Sequence, residues 1–184
     1  MSMTRPYRTF IAVALTSAGV AVAAGAAWPA WAAAAESAAG RVSPAVSNYT
    51  RVSDDVATAG LLGEGAIGEL KAAGFVAVVD LRGPDEGTND ERRAVEAAGL
   101  RYFNIPVTGL PSGAQVVQFS HVLGDRSDLP VLVHCASGNR VGAMWALYRA
   151  RSGVTAATAM DEGRRIGLRG DREAAVAKSL GLAP

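Results

Sequence analysis

Three short runs rich in β-branched and aromatic residues alternate with stretches of helical periodicity, and this alternation fixes most of what the chain can fold into. Phe75–Leu81 (FVAVVDL) is apolar except for Asp80, the pattern of a strand buried on both faces. Leu100–Val107 (LRYFNIPV) reads as a second strand, and Val131–His134, after Pro130, as a third. Between and after them lie predicted helices: Gly65–Ala73 closed by Gly74, Asp90–Ala98 capped by Asn89, and a helix from a Ser112 cap to about Leu123. Asn139–Arg151, Thr155–Ile166 and Asp171–Leu180 complete the set, and Asn48–Val52 and Val56–Ala59 read as two brief extended pieces. Strands joined through helices need crossover connections, which make a mostly parallel sheet with helices on both faces. The predicted architecture is a single α/β domain with a mostly parallel central sheet flanked by helices.

The first residues follow a different logic. Arg5 and Arg8 precede a charge-free, Ala- and Val-rich stretch from Thr9 to Ala35 that ends among small residues. A basic start, an apolar middle and a small-residue exit are the marks of a cleavable signal peptide. The expected division is therefore a signal peptide over 1–35, a Ser- and Ala-rich linker over 36–46, and the domain over 47–184. The expected location is periplasmic or secreted, with no membrane attachment after cleavage.

Export makes the cysteine content informative, because exported chains keep cysteines in disulfide pairs. Here Cys135 stands alone, so its thiol is a candidate reactive group. The formal net charge of +1 on 184 residues offers no long-range pull on polyanions, which argues against a nucleic-acid partner. Any affinity for phosphate must come from a local site. Two His and one Cys are also too few for a confident metal centre, so no metal or cofactor is expected.

Cys135 opens the loop Cys135-Ala136-Ser137-Gly138-Asn139-Arg140, set between the third strand and a helix. Such a loop gathers backbone N–H groups at a helix N-terminus, where an anion is stabilised and the thiolate is favoured over the thiol. Gly138 lets the loop curl, Ser137 and Asn139 can hold it or the sulfur, and Arg140 can grip two phosphoryl oxygens with its planar fork. His134 is read as a structural support for the loop, and Asp80 as a strand-end structural acid. His121 is read as a surface residue.

The stretch HCASGNRVGAMWALYRA, with AVVDLRGPDEG and EAAGLRYFNIPV upstream, resembles the bacterial phosphatases related to the dual-specificity class, in the beta-lactamase-hydrolase-like family. The resemblance runs from about Val46 to Gly167. It implies a cysteine-dependent phosphatase fold, a Cys135 nucleophile that forms a phosphocysteine, and an Arg140 that binds the phosphoryl oxygens, without metal. The substrate it implies is a phosphorylated small molecule or phosphoprotein. Three features depart from the usual tyrosine-phosphatase pattern: four residues rather than five separate Cys135 from Arg140, Val141 follows Arg140, and Thr108-Gly109-Leu110 holds no acid where the dual-specificity enzymes keep one.

The nearest candidates for a proton donor are Asp85 and Glu86, on the loop after FVAVVDL, which parallel strands would open on the same edge as Cys135. Arg82, beside them, is a candidate for pairing with one of these acids or for substrate binding. The short loop is also that of rhodanese-type sulfurtransferases, so a persulfide carried on Cys135 is the alternative activity. A non-catalytic anion-binding module is a third reading.

Overall fold

A computed structural model describes residues 42–182; the expected signal peptide and the linker as far as residue 41 lie outside the described residues. Five strands form one sheet: β1 (Thr50–Arg51), β2 (Val56–Ala59), β3 (Ala77–Asp80), β4 (Arg101–Asn104) and β5 (Val131–His134). Their spatial order is β1-β2-β5-β3-β4, with β1 antiparallel at the edge and the other pairings parallel. Among the described residues six α-helices accompany them: α1 (Ala66–Ala72), α2 (Thr88–Ala97), α3 (Gly113–Gly124), α4 (Asn139–Arg151), α5 (Ala156–Ile166) and α6 (Gly170–Ser179). No described helix is long and apolar enough to cross a membrane.

Strand alternation sends side chains to two separate cores. Val79, Val131 and Val133 face one side and pack with Phe119 of α3 and Val141, Met144 and Trp145 of α4. Val78 and Leu132 face the other and meet Ala66 and Leu70 of α1, Val95 of α2, and Phe75. Both faces are covered, which is why these strands are continuous in apolar character. Val42, Ala45 and Val46 pack on this second core, and Val46 pairs with Leu62, so the packed body begins before residue 47.

Most predicted elements appear within a residue or two of their expected limits, with two informative differences. The second predicted strand pairs regularly only over Arg101–Asn104, yet Ile105 and Val107 still donate to Asp80 O and Leu81 O at 2.9 and 3.0 Å. The extended run thus carries on beside the end of β3. The helix expected to be capped by Asn89 starts at Thr88, because Gly87 adopts φ +81° and turns the chain into the helix without a side-chain cap. Ser112 caps α3 as expected, its side chain accepting from Gln115 N–H while Gln115 returns the bond.

The register fixes where the loops emerge. Ala59 and Asp80 both pair with His134, and Asp80 pairs with Asn104, so β2, β5, β3 and β4 end at one level. The loops following them open on a single edge.

Helices α4 and α5 cross at glycines. A Cβ on Gly142 would lie 2.5 Å from Gly163 O and 2.6 Å from Leu168 N, both backbone atoms that cannot step aside. Gly68, on the exposed face of α1, has open space instead. Gly142→Ala is therefore expected to destabilise the fold by about 1–3 kcal/mol or more through overpacking. Gly68→Ala is expected to stabilise it by roughly 0.5–1 kcal/mol through the unfolded chain. Thermal melts of the two variants check the opposite signs.

Candidate active site

Cys135 follows the last residue of β5 and is 1% exposed, its sulfur at the base of the loop. Gly138 N–H donates to its Sγ at 3.2 Å. Gly138 itself has φ +83°, and a Cβ there would meet Ile166 O at 2.9 Å, so the loop is pressed against the end of α5. The first N–H groups of α4, which begins at Asn139, have no partner within the helix and lie beside the sulfur's donor. Ala136 is exposed. Ser137 contributes its carbonyl, which accepts from Asn48 Nδ2 at 3.4 Å. Asn139 holds the loop to the segment before α6: its Oδ1 accepts from Arg169 N–H at 3.2 Å and its Nδ2 donates to Arg169 O at 3.3 Å.

Arg140 stands in the first turn of α4 and reaches across the edge to the loop after β3. Its Nη1 and Nη2 donate to the two oxygens of Glu86 at 2.5 and 2.6 Å, and Nη1 also meets Val107 O at 3.4 Å. This fork holds the Glu86 carboxyl down at about 2, from an ordinary 4.5. The same bonds, followed by the nearby Cys135 sulfur, raise Arg140 above its usual value. Glu86 therefore carries no proton near neutral pH, which removes it as a proton donor while it is paired. Asp85, one residue earlier on the turn Pro84–Glu86, is exposed and makes no hydrogen bond or ion pair among the described residues.

Arg82 is not at the mouth of the site. It is 4% exposed and bonds Asp80 through Nε and Nη2, and Glu91 Oε2 through Nη2 at 2.6 Å. From Glu86 it takes only the backbone oxygen, at 3.1 Å. The expectation that Arg82 pairs with an acid of the 85–86 loop or binds substrate is corrected: a guanidinium buried between two carboxylates is already committed. Burial alone would raise the Asp80 carboxyl, but Arg82 and the Tyr102 hydroxyl, 2.8 Å away, bring it below its ordinary value.

His134, fully buried, lies against this cluster, its Nε2 2.7 Å from Glu91 Oε1 and 3.7 Å from Asp80 Oδ1. Although the two groups stand this close, neither His134 ring nitrogen nor Glu91 Oε1 has a hydrogen-bond partner among the described residues. Asp80, Glu91 and His134 bring donor atoms within 4.8 Å of one another, the sort of grouping that can hold a metal ion. The Arg82 guanidinium already supplies the cation there. His121 lies exposed on α3, away from these groups.

Sequence reasoning brought Cys135, Gly138, Asn139, Arg140 and Glu86 to one place, and missed Glu91, Asn48 and Arg169. Glu91 is the second residue of the predicted helix Asp90–Ala98, and nothing local marks its inward contact. Asn48 carries one local signal, a left-handed backbone (φ 49°) that asparagine tolerates.

A parallel sheet ending in a cysteine loop closed by an arginine helix is the architecture of the dual-specificity phosphatase class. The chain belongs to the family described as "DSP-PTPase phosphatase fused to NAD+ Kinase", whose model matches residues 35–178. Among curated proteins no sequence matches it. Among solved structures it is similar to Tk-PTP in its active form, at 26% identity and TM-score 0.59, over 72% of this chain and 95% of that one. It is also similar to P. aeruginosa TpbA, at 23% identity and TM-score 0.59, covering 76% and 86% of the two chains. The catalytic core of the PP-IP phosphatase Siw14 from S. cerevisiae has 14% identity and TM-score 0.60, covering 76% and 96%. The last two likenesses concern the fold alone. Family and fold make this chain a hydrolase of phosphate esters.

The Glu86 pairing predicts a pH signature. A carboxyl lowered from 4.5 to about 2 contributes stability that is full above about pH 4.5 and is lost as pH falls toward 2. Glu86→Gln is expected to melt below wild type at pH 6, by about 1 kcal/mol or less because Glu86 is partly exposed. That difference should shrink between pH 4.5 and 2. A constant gap across this range would show that Glu86 is not held ionised by Arg140.

Proposed function

We propose that this protein is a cysteine-dependent phosphomonoesterase working through a phosphocysteine on Cys135. The observation that carries the reading is the gathering of a sulfur bonded by Gly138 N–H, the open first turn of α4 and the Arg140 side chain of that turn at the carboxyl end of β5. The Cys135 thiolate attacks phosphorus, so an S–P bond forms and the ester P–O bond breaks. The leaving oxygen takes the electron pair and a proton. Water then attacks the phosphocysteine, a P–O bond forms, the S–P bond breaks and the thiolate returns as inorganic phosphate leaves. Loop N–H groups and Arg140 hold the non-bridging oxygens in both steps, stabilising charge that builds in the transition state. Glu86 orients the Arg140 fork. Asp85, exposed one residue from the Arg140 partner, is the proposed proton donor to the leaving oxygen.

The substrate class is a phosphorylated small molecule or phosphoprotein, without cofactor or nucleic acid. The signal-like first 35 residues support a periplasmic or secreted address, and the HCASGNRVGA stretch supports the narrower likeness to the beta-lactamase-hydrolase-like phosphatases. The four-residue spacing keeps one competing reading in view, a sulfurtransferase with a persulfide on Cys135.

Two variants test the mechanism. Cys135→Ser is expected to reduce aryl phosphate hydrolysis to background, and acid quench of wild type should trap one phosphoryl group on the Cys135 peptide. Asp85→Asn is expected to slow an alkyl phosphate by roughly 10²–10⁴-fold. It should slow p-nitrophenyl phosphate far less, because that leaving group needs no proton. Equal effects on both esters would remove Asp85 from the proton-donor role. Sulfur transfer from thiosulfate to Cys135 without phosphate release would favour the sulfurtransferase.

A further inference from the structure

A cavity of about 640 Å³ opens beside the Cys135 loop, walled by Gly109 and Leu110 on one side and by Arg169, Asp171 and Arg172 on the other. It shares Asn139 with the loop. Its Gly109 wall begins two residues after Val107, whose carbonyl touches Arg140. The cavity therefore borders the loop that carries Cys135.

Its charge is uneven. Arg172 donates through Nε to Gly109 O and through Nη2 to Thr108 O, both at 3.2 Å. Arg169 donates through Nη1 to Gly167 O at 3.1 Å. Carbonyl partners orient a guanidinium without cancelling its charge. Among the described residues no carboxylate forms an ion pair with either arginine, whereas Arg140 and Arg149 each have one such partner and Arg164 has two. Asp171 is the one acid on the cavity wall, set against two cations. The wall also includes the start of α6, which has no side-chain cap and whose positive dipole end faces the same space. Leu110, 41% exposed at the rim, offers an apolar contact for a carbon framework.

We infer that Arg169 and Arg172 form an anion subsite, and that the substrate is a small phosphomonoester carrying a second anionic group, phosphate or carboxylate. This inference rests on the phosphatase reading of Cys135: the reacting phosphoryl sits in the loop and the second anion sits on the two arginines. A cavity of this volume suits a small molecule, and Arg169 and Arg172 act as specificity-determining residues for it. The Asn139 clamp on the Arg169 backbone ties the subsite to the loop, which fixes the spacing between the two anions.

The test is direct binding, independent of turnover. Calorimetry would compare alkane bisphosphonates of two to six carbons with the matching alkyl monophosphonates, using ω-carboxyalkylphosphonates for the carboxylate arm. At least one bis-anion is expected to bind about tenfold tighter than its mono-anion, the worth of one charge-assisted contact. Arg169→Ala and Arg172→Gln should each remove most of that advantage, and the exposed Arg93→Ala should leave it in place. An advantage in the carboxylate arm alone would still support the subsite and identify its anion. The inference falls if no spacing gives an advantage, or if the advantage survives in both arginine variants. Because the ligands are not hydrolysed, either result stands whether or not Cys135 proves to be the nucleophile.

Discussion

Beneath the sheet edge that carries Cys135, one buried guanidinium holds together segments that would otherwise repel. Asp80 ends β3, Glu91 sits in the first turn of α2, and both carboxylates converge on Arg82 in a region closed to water. Tyr102 and Asn104 of β4 complete the arrangement, the first on the Asp80 carboxylate and the second on the backbone oxygens of Asp80 and Arg82. Without the cation, two largely buried negative charges would face each other, a cost of several kcal/mol. The arrangement fixes the angle at which the loop after β3 leaves the sheet. That angle sets where Glu86 meets Arg140, so the geometry of the anion cradle rests on a cluster that never touches an anion.

The cradle itself is electrostatically occupied. Glu86 takes both terminal nitrogens of Arg140, which keeps the fork extended over the loop rather than collapsed into solvent. In the proposed reaction an incoming phosphate would meet an oriented guanidinium, at the expense of sharing it with a carboxylate. Arg140 spans two loops from different strands, so its orientation reports on the alignment of β3 and β5. That alignment is set by the parallel register, in which Asp80 and His134 are paired.

Much of this was legible in the sequence, and the boundary is physical. β5 and α4 were placed at their observed limits, because Pro130, a β-branched run and a helical apolar stripe are local signals. Ser112 and Thr155 were legible as helix starts for the same reason, their side chains bonding N–H groups three residues on. The placement of β5 between β2 and β3 was not legible, since no local pattern encodes which strands become neighbours. Arg82 was misplaced for a related reason: beside a Gly- and Pro-containing loop it resembles a mouth residue, and the pair that draws it inward combines Asp80, two positions back, with Glu91, nine positions away on another element. Glu86 was placed at the right edge, but its protonation depends on a partner 54 residues distant. Position could be read from topology, whereas charge state required the contact.

The glycine crossing of α4 and α5 reaches further than packing. Because the helices touch backbone to backbone, the end of α5 stands where Gly138 must pass: a Cβ on Gly138 would lie 2.9 Å from Ile166 O, and one on Gly167 would lie 3.3 Å from the Gly138 carbonyl carbon. Loop length at the sulfur is thereby a dimension of helix packing. A fifth residue between Cys135 and Arg140 would have no room to bulge inward unless α5 retreated, and α5 is held by the glycines it shares with α4. Switching this cradle to the longer form would require redesigning a helix pair, so the spacing is inherited with the bundle rather than adjusted within the loop.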